Sequence, residues 1–268
     1  MTIRHSGDID LDAIRATLLE AALAAAGQTL PRFRTALSVD NKFEAGFDPV
    51  TDGDREAERV IREIISARFP GHAIVGEELA DLVGDGDFEW IVDPIDGTRA
   101  FISGVPVWGT LIGFRAAGRA VAGIMAQPFT GEIFLGLPGV ALYRRDGAEQ
   151  PIHTSFVTEI GKAKMSATSP EIFEASGTTE AWNRLRGAAL QTRYGLDCYA
   201  YCLLAAGHLD LVCEAALKNV DIAPLIPIIE NAGGVITTWD GQPAENGGNC
   251  LAAATAQLHQ AALDILNA

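Results

Sequence analysis

The segment from residue 90 to 98, WIVDPIDGT, constrains this chain more than any other. Its apolar start predicts a buried strand that runs out at Asp93, where a proline forces a turn. Asp96, Gly97 and Thr98 follow and are typical of a short helix start. Asp93 and Asp96 lie three residues apart across the turn, so both carboxylates can face one point. The N–H groups of Gly97 and Thr98 would suit a phosphate there, although Asp-Pro and Asp-Gly are also common turn pairs.

Three further acidic residues stand at the ends of predicted elements. Glu77 follows a strand-like run, Asp52 stands at the start of an amphipathic helix, and Asp221 directly precedes a second helical pattern. Taken singly, each has an ordinary explanation, because aspartates commonly cap helices and glutamates commonly end exposed strands. The order of all five acids along one chain calls for a common explanation.

That combination resembles the inositol monophosphatase-like family of magnesium-dependent phosphatases. The resemblance rests on GEE at 76–78, DPIDGT at 93–98 and an aspartate that leads to AGG at 232–234. It runs from about Asp8 to the C-terminus. It implies a sugar-phosphatase fold, hydrolysis of a small-molecule phosphate ester without a covalent intermediate, and a homodimer.

The resemblance also implies the division of labour in the site. One ion is held by Glu77, Asp93 and the Ile95 carbonyl, and a second by Asp93, Asp96 and Asp221; a third, weaker ion near Glu77 is allowed. Glu77 is thereby catalytic, while Thr98 and Asp52 orient the attacking water and accept its proton. Carboxylates ~4 Å apart repel by about 4 kcal/mol per pair at an effective dielectric of about 20, so they would take up protons or move apart unless a cation lay between them. Oxygen ligands favour Mg²⁺, with Mn²⁺ as its substitute.

Substrate choice is expected from the second half of the chain. Asp197, in the run RYGLDCY, suits a cationic group, and Glu214 lies seven residues before Asp221, the spacing at which the family places a glutamate against the substrate. Arg193 is a candidate for the phosphate end. Their ordinary alternatives are a helix cap for Asp197 and a surface salt bridge for Arg193. The candidate substrate-binding residues are therefore Gly97, Thr98, Arg193, Asp197 and Glu214.

Two longer segments, at 98–109 and 218–230, resemble the histidinol-phosphate phosphatase branch of the family. They imply hydrolysis of L-histidinol phosphate to L-histidinol and phosphate, a step in histidine biosynthesis. An inositol-1-monophosphatase or a broad phosphomonoesterase is the enzymatic alternative, and a regulatory binding protein on the same fold is the other. Val220 stands where the wider family has tryptophan. The pocket of inositol monophosphatases is therefore a weaker guide to the details of the pocket in this chain.

Charge and cysteine content limit the classes of partner and the cellular location that we expect. The formal net charge of −15 repels phosphate backbones and anionic lipid, so we expect neither nucleic acid nor membrane as a partner. The four cysteines form no C-x-x-C pair, and residues 1–12 lack the apolar core of a secretory signal. A cytoplasmic location fits these features.

Apolar periodicity predicts an α/β protein of helices and strands, and the resemblance implies an α+β layered sandwich with the layers α-β-α-β-α. We expect two lobes, residues 1–150 with most metal ligands and residues 151–268 with the substrate-selecting residues and the last metal ligand, and the metals between them. The predicted helices are 8–26, one from Asp52 ending near 69–71, 180–185, 197–206, 222–232 and 258–266. The predicted strands are 73–75, 89–92, 108–114, 120–127, 132–137, 166–169 and 209–213, with a hairpin turn at 144–147.

Overall fold

Two β-sheets carry the fold, and helices cover both faces of each. The structure is a computed structural model and describes residues 9–36, 39–41 and 49–268. Its first half contains α1 (Leu11–Thr29), β1 (Val39–Asn41), β2 (Pro49–Thr51), α2 (Asp52–Arg68), β3 (Ala73–Gly76), β4 (Phe88–Asp96), α3 (Thr98–Ile102), β5 (Gly109–Ala116), β6 (Arg119–Gln127), β7 (Glu132–Leu137), β8 (Val140–Arg145) and β9 (Ala148–Pro151). Its second half contains β10 (Lys164–Ala167), α4 (Glu171–Ala175), α5 (Thr179–Ala188), β11 (Gln191–Tyr194), α6 (Cys198–Ala205), β12 (Leu211–Leu217), α7 (Asn219–Ile222), α8 (Ile226–Asn231), β13 (Val235–Thr238), β14 (Gly248–Ala253) and α9 (Ala256–Leu266).

The larger sheet has the strand order β3-β4-β5-β6-β7-β8-β9. All of its neighbours pair antiparallel except β3 and β4, which are parallel. The second sheet has the order β11-β10-β12-β14-β13, with β10 parallel to both of its neighbours. The first sheet ends at Pro151 and the second begins at Lys164. The lobe boundary near residue 150 falls at this change of sheet, and its role as a domain boundary stays a prediction.

Buried apolar side chains define five layers. Leu18 of α1 and Ile61 of α2 pack on one face of the large sheet. On its other face, α6 and α8 lie between the two sheets, where Ile228 joins one core with Met125 and Val212. The helices α4, α5 and α9 cover the far face of the second sheet. The predicted α-β-α-β-α sandwich is confirmed, because each sheet buries both faces.

Most predicted elements are present, and the differences have local causes. The first helix runs past Gly27 to Thr29, since Pro31 rather than the glycine ends it through a 3₁₀ turn at Leu30–Arg32. Its predicted start at Asp8 lies outside the described residues. The predicted helix 222–232 begins only at Ile226, as α8, because Pro227 has no N–H to donate to the carbonyl of Ala223; the short helix α7 ends at Ile222.

The strand that was expected to stop at Asp93 continues to Asp96. Its pairing with β5 shifts register between these two residues, so the strand bulges there instead of ending. A similar shift lies between Glu214 and Leu217 in β12, which continues past its predicted end. Both irregularities fall next to acidic side chains, and both change the direction in which those side chains point.

Candidate active site

The carboxylates of Asp93, Asp96 and Asp221 meet in one cluster. One carboxylate oxygen from each lies within 4.8 Å of the other two. Asp93 and Asp96 come from the bulged end of β4, whereas Asp221 comes from α7, which follows strand β12 of the second sheet. Helix α7 packs against β4 through Val220 and Ile91. The fold therefore brings together acids that are more than a hundred residues apart in the chain.

Each aspartate of this cluster is anchored by one backbone N–H. Asp93 Oδ1 accepts from Ile95 N at 3.0 Å, Asp96 Oδ2 from Cys198 N at 2.8 Å, and Asp221 Oδ2 from Lys218 N at 2.7 Å. The ordinary cap explanation for Asp221 is thus partly right, because its side chain caps α7. A carboxylate held by one oxygen still has a second oxygen that can bind a cation.

The electrostatics of the cluster favour a bound cation. Burial, and then the charges of Glu77, Asp96 and Asp221, raise the pKa of Asp93 well above its ordinary value. Burial and the charge of Asp221 raise the pKa of Asp96 in the same way. Without a cation these groups would take up protons. A donor set of carboxylate oxygens at this spacing fits Mg²⁺ and Mn²⁺, the ions that the sequence implied.

Glu77 lies beside this cluster, at the end of β3. Its charge helps raise the pKa of Asp93, and its Oε1 accepts from Lys218 Nζ at 3.0 Å. The loop after it is fixed by Glu58, whose buried carboxylate accepts from the backbone N–H of Glu78 at 2.8 Å. A Cβ on Gly76 would lie 2.0 Å from Glu58 Oε1, so a larger residue at position 76 would have to displace the Glu58 carboxylate.

The turn after Asp93 brings Thr98 and Ile95 together. Thr98 Oγ1 donates to the Ile95 carbonyl at 3.0 Å, the carbonyl that the resemblance names as a metal ligand. Ile95 itself is buried against Phe33 and Trp108. The start of α2 lies against the same turn, because a Cβ on Gly53 would lie 3.8 Å from Ile95 Cδ1.

The structure does not bring Asp52 to the cluster, which corrects its predicted role. The Asp52 side chain is 80% exposed and lies 3.6 Å from Arg55. Asp54 is buried instead, and burial and the nearby charge of Glu77 raise its pKa. Its Oδ2 accepts from Thr51 N at 2.9 Å, while its buried Oδ1 has no hydrogen-bond partner among the described residues.

The sequence did contain a signal that distinguishes these two aspartates. The buried stripe of α2 includes Ala57 and Ile61. Asp54 lies three and seven residues before them, on the same face of the helix, whereas Asp52 is rotated by about 200° from Asp54. Periodicity therefore points to Asp54.

A small cavity of about 40 Å³ opens beside Asp96 and Asp221. Glu214 lines it, and burial raises the pKa of Glu214 to about 8. Glu214 Oε1 accepts from Thr168 N at 2.7 Å, but its buried Oε2 and the buried hydroxyl of Tyr201 have no partner in the described part of the chain. Two polar atoms without partners indicate a polar occupant. Sequence reasoning missed Thr168 and Tyr201.

Asp197 lines the same cavity, and its side chain does not cap a helix. It precedes α6 with a φ of 46° and makes no side-chain cap bond. A Cβ on Gly97, whose φ is +81°, would lie 3.0 Å from Asp197 Oδ2, so the two predicted substrate residues are in contact range. Burial raises the pKa of Asp197, while Thr168 and the charge of Arg99 act in the opposite direction.

Arg193 is not brought into this cavity. It lies on β11, the edge strand of the second sheet, with an exposed side chain. Its described contact there is through its backbone carbonyl, which accepts from Ser166 Oγ at 3.3 Å. The predicted part of Arg193 in phosphate binding has no support in this geometry.

Residues 10–268 match the inositol monophosphatase family. The chain belongs to this family. A solved structure of an inositol monophosphatase from Zymomonas mobilis is 35% identical and superposes with a TM-score of 0.85 over 97% of this chain and 100% of that one. Membership in the family makes the protein a phosphatase of phosphoric monoesters, and the acidic cluster lies where the resemblance put the metal ions.

Relatives within the inositol monophosphatase family carry different names. The bifunctional phosphatase IMPL2, chloroplastic, of Arabidopsis thaliana is 36% identical over 97% of this chain and 76% of its own length. A histidinol-phosphatase of Mycobacterium tuberculosis is 32% identical over 94% of this chain and 97% of its own. In the described residues we find no helix with the length and apolar character to cross a bilayer.

Proposed function

We propose that this family member is a magnesium-dependent histidinol-phosphatase, which hydrolyses L-histidinol phosphate to L-histidinol and phosphate. The observation that carries the proposal is the position of Asp197 and Glu214 in one cavity with Asp96 and Asp221. Histidinol phosphate has a phosphate at one end and an ammonium and an imidazole at the other. A site with metal ligands beside two further carboxylates matches both ends.

The cavity supports recognition of the ammonium end. Its volume of about 40 Å³ takes one or two groups the size of water or ammonium, while the rest of the substrate would lie at its mouth. An ammonium there would donate to the free Oε2 of Glu214, and its charge would keep both Glu214 and Asp197 ionised. A neutral cyclitol in the same place would leave two buried carboxylates without a counter-charge.

The phosphate end would lie at the acidic cluster. Glu77, Asp93 and the Ile95 carbonyl would hold one magnesium ion, and Asp93, Asp96 and Asp221 a second. When bound, these ions activate water as the nucleophile and neutralise the charge that develops on the leaving oxygen. Gly97 and Thr98 would present their N–H groups to the phosphate.

Thr98 and Asp54 would handle the proton of the attacking water. Thr98 donates its own hydroxyl hydrogen to the Ile95 carbonyl, so its oxygen is left to accept a hydrogen bond from water. Asp54 has a buried Oδ1 without a partner among the described residues, feels the charge of Glu77, and replaces Asp52 as the proton acceptor in this proposal. Both groups are positioned by helix starts that pack against the Ile95 turn.

An inositol monophosphatase is the second candidate, favoured by the 35% identity to the Zymomonas mobilis structure. Phosphate release from histidinol phosphate, inositol 1-phosphate, fructose 1,6-bisphosphate and adenosine 3′,5′-bisphosphate, each with and without a chelator, distinguishes the two. We expect kcat/KM for histidinol phosphate to exceed the others by about tenfold or more. A preference for another ester would overturn the assignment of histidinol phosphate as the substrate, but the proposed metal-dependent hydrolysis would stand. No metal-dependent hydrolysis at all would favour a regulatory binding protein.

The remaining expectations stay predictions. They are a homodimer, a cytoplasmic location, a place in histidine biosynthesis, and no nucleic-acid or membrane partner. Light scattering of the purified protein tests the dimer, since a monomeric mass would contradict it.

A further inference from the structure

Lys218 contacts two acids of the site, Glu77 and Asp221, that come from different halves of the chain. Its backbone N–H donates to Asp221 Oδ2 at 2.7 Å, and its ammonium group donates to Glu77 Oε1 at 3.0 Å. Glu77 directly follows β3 of the large sheet, whereas Lys218 directly follows β12 of the second sheet. One residue thus spans the cluster from the Asp221 end to the Glu77 end.

The surroundings of the Glu77 carboxylate explain why a cation lies on it. The Glu77 side chain is only 12% exposed, while that of Lys218 is 53% exposed. The charge of Glu77 acts on both Asp93 and Asp54. An ammonium group at hydrogen-bond distance offsets part of this repulsion, as a divalent ion at the same carboxylate would.

We propose that the ammonium group of Lys218 is a resident counter-cation of Glu77, which a divalent ion must displace in order to use that carboxylate. This inference rests on the proposed function, because it concerns ions that the proposed reaction needs. Lys218 is then a positioning residue that lowers the affinity for the ion held through Glu77. The ion held by Asp93, Asp96 and Asp221 is affected less, because the ammonium group lies on Glu77, while Lys218 contacts Asp221 through its backbone N–H.

Metal affinity measured without substrate tests the proposal. The free Mn²⁺ signal in electron paramagnetic resonance gives the number and dissociation constants of bound ions for the full-length wild type and for Lys218→Met. Removal of the competing ammonium should tighten one class of sites, the one that includes Glu77, by about three- to tenfold and leave the other class nearly unchanged. The Lys218→Arg variant keeps the charge and should stay within about twofold of the wild type.

A matched control separates local competition from net charge. Lys162 forms the same type of pair, with Nζ 2.6 Å from Glu159 Oε1, and is 69% exposed. Lys162→Met removes one positive charge from the same chain and should leave the Mn²⁺ constants unchanged. Lys218→Gln provides a second neutral variant, and thermal unfolding verifies that each variant is folded.

Two outcomes would overturn the proposal. Unchanged or weaker Mn²⁺ binding in both neutral variants would mean that Lys218 preorganises Glu77 instead of competing for it, and the proposed function would stand. No Mn²⁺ binding by the wild type would overturn this inference and the proposed function together.

Discussion

The backbone N–H of Cys198 donates a 2.8 Å hydrogen bond to the carboxylate of Asp96. Cys198 is the first residue of α6, and the residue before it is Asp197, so one peptide connects the proposed substrate carboxylate with the metal cluster. A shift of the α6 start would therefore move Asp197 and disturb Asp96 at once. Under the proposed function, this arrangement lets a residue from the second half of the chain select a substrate whose phosphate is bound mainly by the first half.

Asp197→Asn should separate substrate recognition from chemistry. The variant keeps the shape of the side chain and removes the charge that faces the ammonium group. We expect KM for histidinol phosphate to rise about tenfold or more, with a much smaller effect on inositol 1-phosphate. Steady-state kinetics with both esters measures this. Equal effects on both substrates would remove Asp197 from recognition.

Asp54→Asn should lower kcat by about a hundredfold, because the proton acceptor of the attacking water is lost. Asp52→Asn is the matched control and should stay within about twofold of the wild type, since its side chain is 80% exposed. Thermal unfolding should accompany both assays, because Asp54 also accepts from Thr51 at the start of α2. The reverse pattern, an inactive Asp52→Asn and an active Asp54→Asn, would restore the original sequence prediction.

The pair Asp52 and Asp54 shows what sequence can and cannot determine here. The motif order predicted which acids would gather, because its resemblance to the inositol monophosphatase-like family implies one site made by Glu77, Asp93, Asp96 and Asp221. Choosing between two aspartates two residues apart required the buried face of α2. The packing of α2 on the large sheet, through residues such as Ile61, shows which face of the helix is buried.

Contacts between distant segments were beyond the sequence argument. The sequence around Glu58 does not indicate that its carboxylate holds the loop after Glu77. The sequence around Lys218 likewise does not indicate its contact with Glu77. These pairings depend on how β3, α2 and α7 meet in three dimensions. Some helix ends also depend on such contacts, whereas the late start of α8 follows from Pro224 and Pro227, which the sequence shows directly.

Gly76→Ala should destabilise the protein by about 2 kcal/mol or more, because the new Cβ would meet Glu58 Oε1 at 2.0 Å. Displacing Glu58 would also release the backbone N–H of Glu78, so metal affinity should fall with stability. Gly27→Ala is the control, because nothing lies within 4 Å of its Cβ and the helix should gain slightly. Urea unfolding of both variants measures the effect. An equally stable Gly76→Ala would contradict the tight contact.

The stability of the metal-free protein should fall as pH rises from about 4.5 to about 8. Burial raises the pKa of Glu214 to about 8, so across this range the folded state holds a proton that the unfolded state releases. Asp93 and Asp96 shift in the same direction. Glu214→Gln should flatten the slope by up to about 1.4 kcal/mol per pH unit. Denaturant unfolding in the presence of a chelator tests this, and an unchanged slope in the variant would contradict the buried state of Glu214.

The most direct test of the account is phosphate release from histidinol phosphate before and after the protein is stripped of divalent ions. Since Asp93, Asp96 and Asp221 repel one another unless a cation lies between them, activity should fall at least about a hundredfold with the chelator and return with added Mg²⁺. Hydrolysis that continues unimpaired after every divalent ion has been removed would contradict the account.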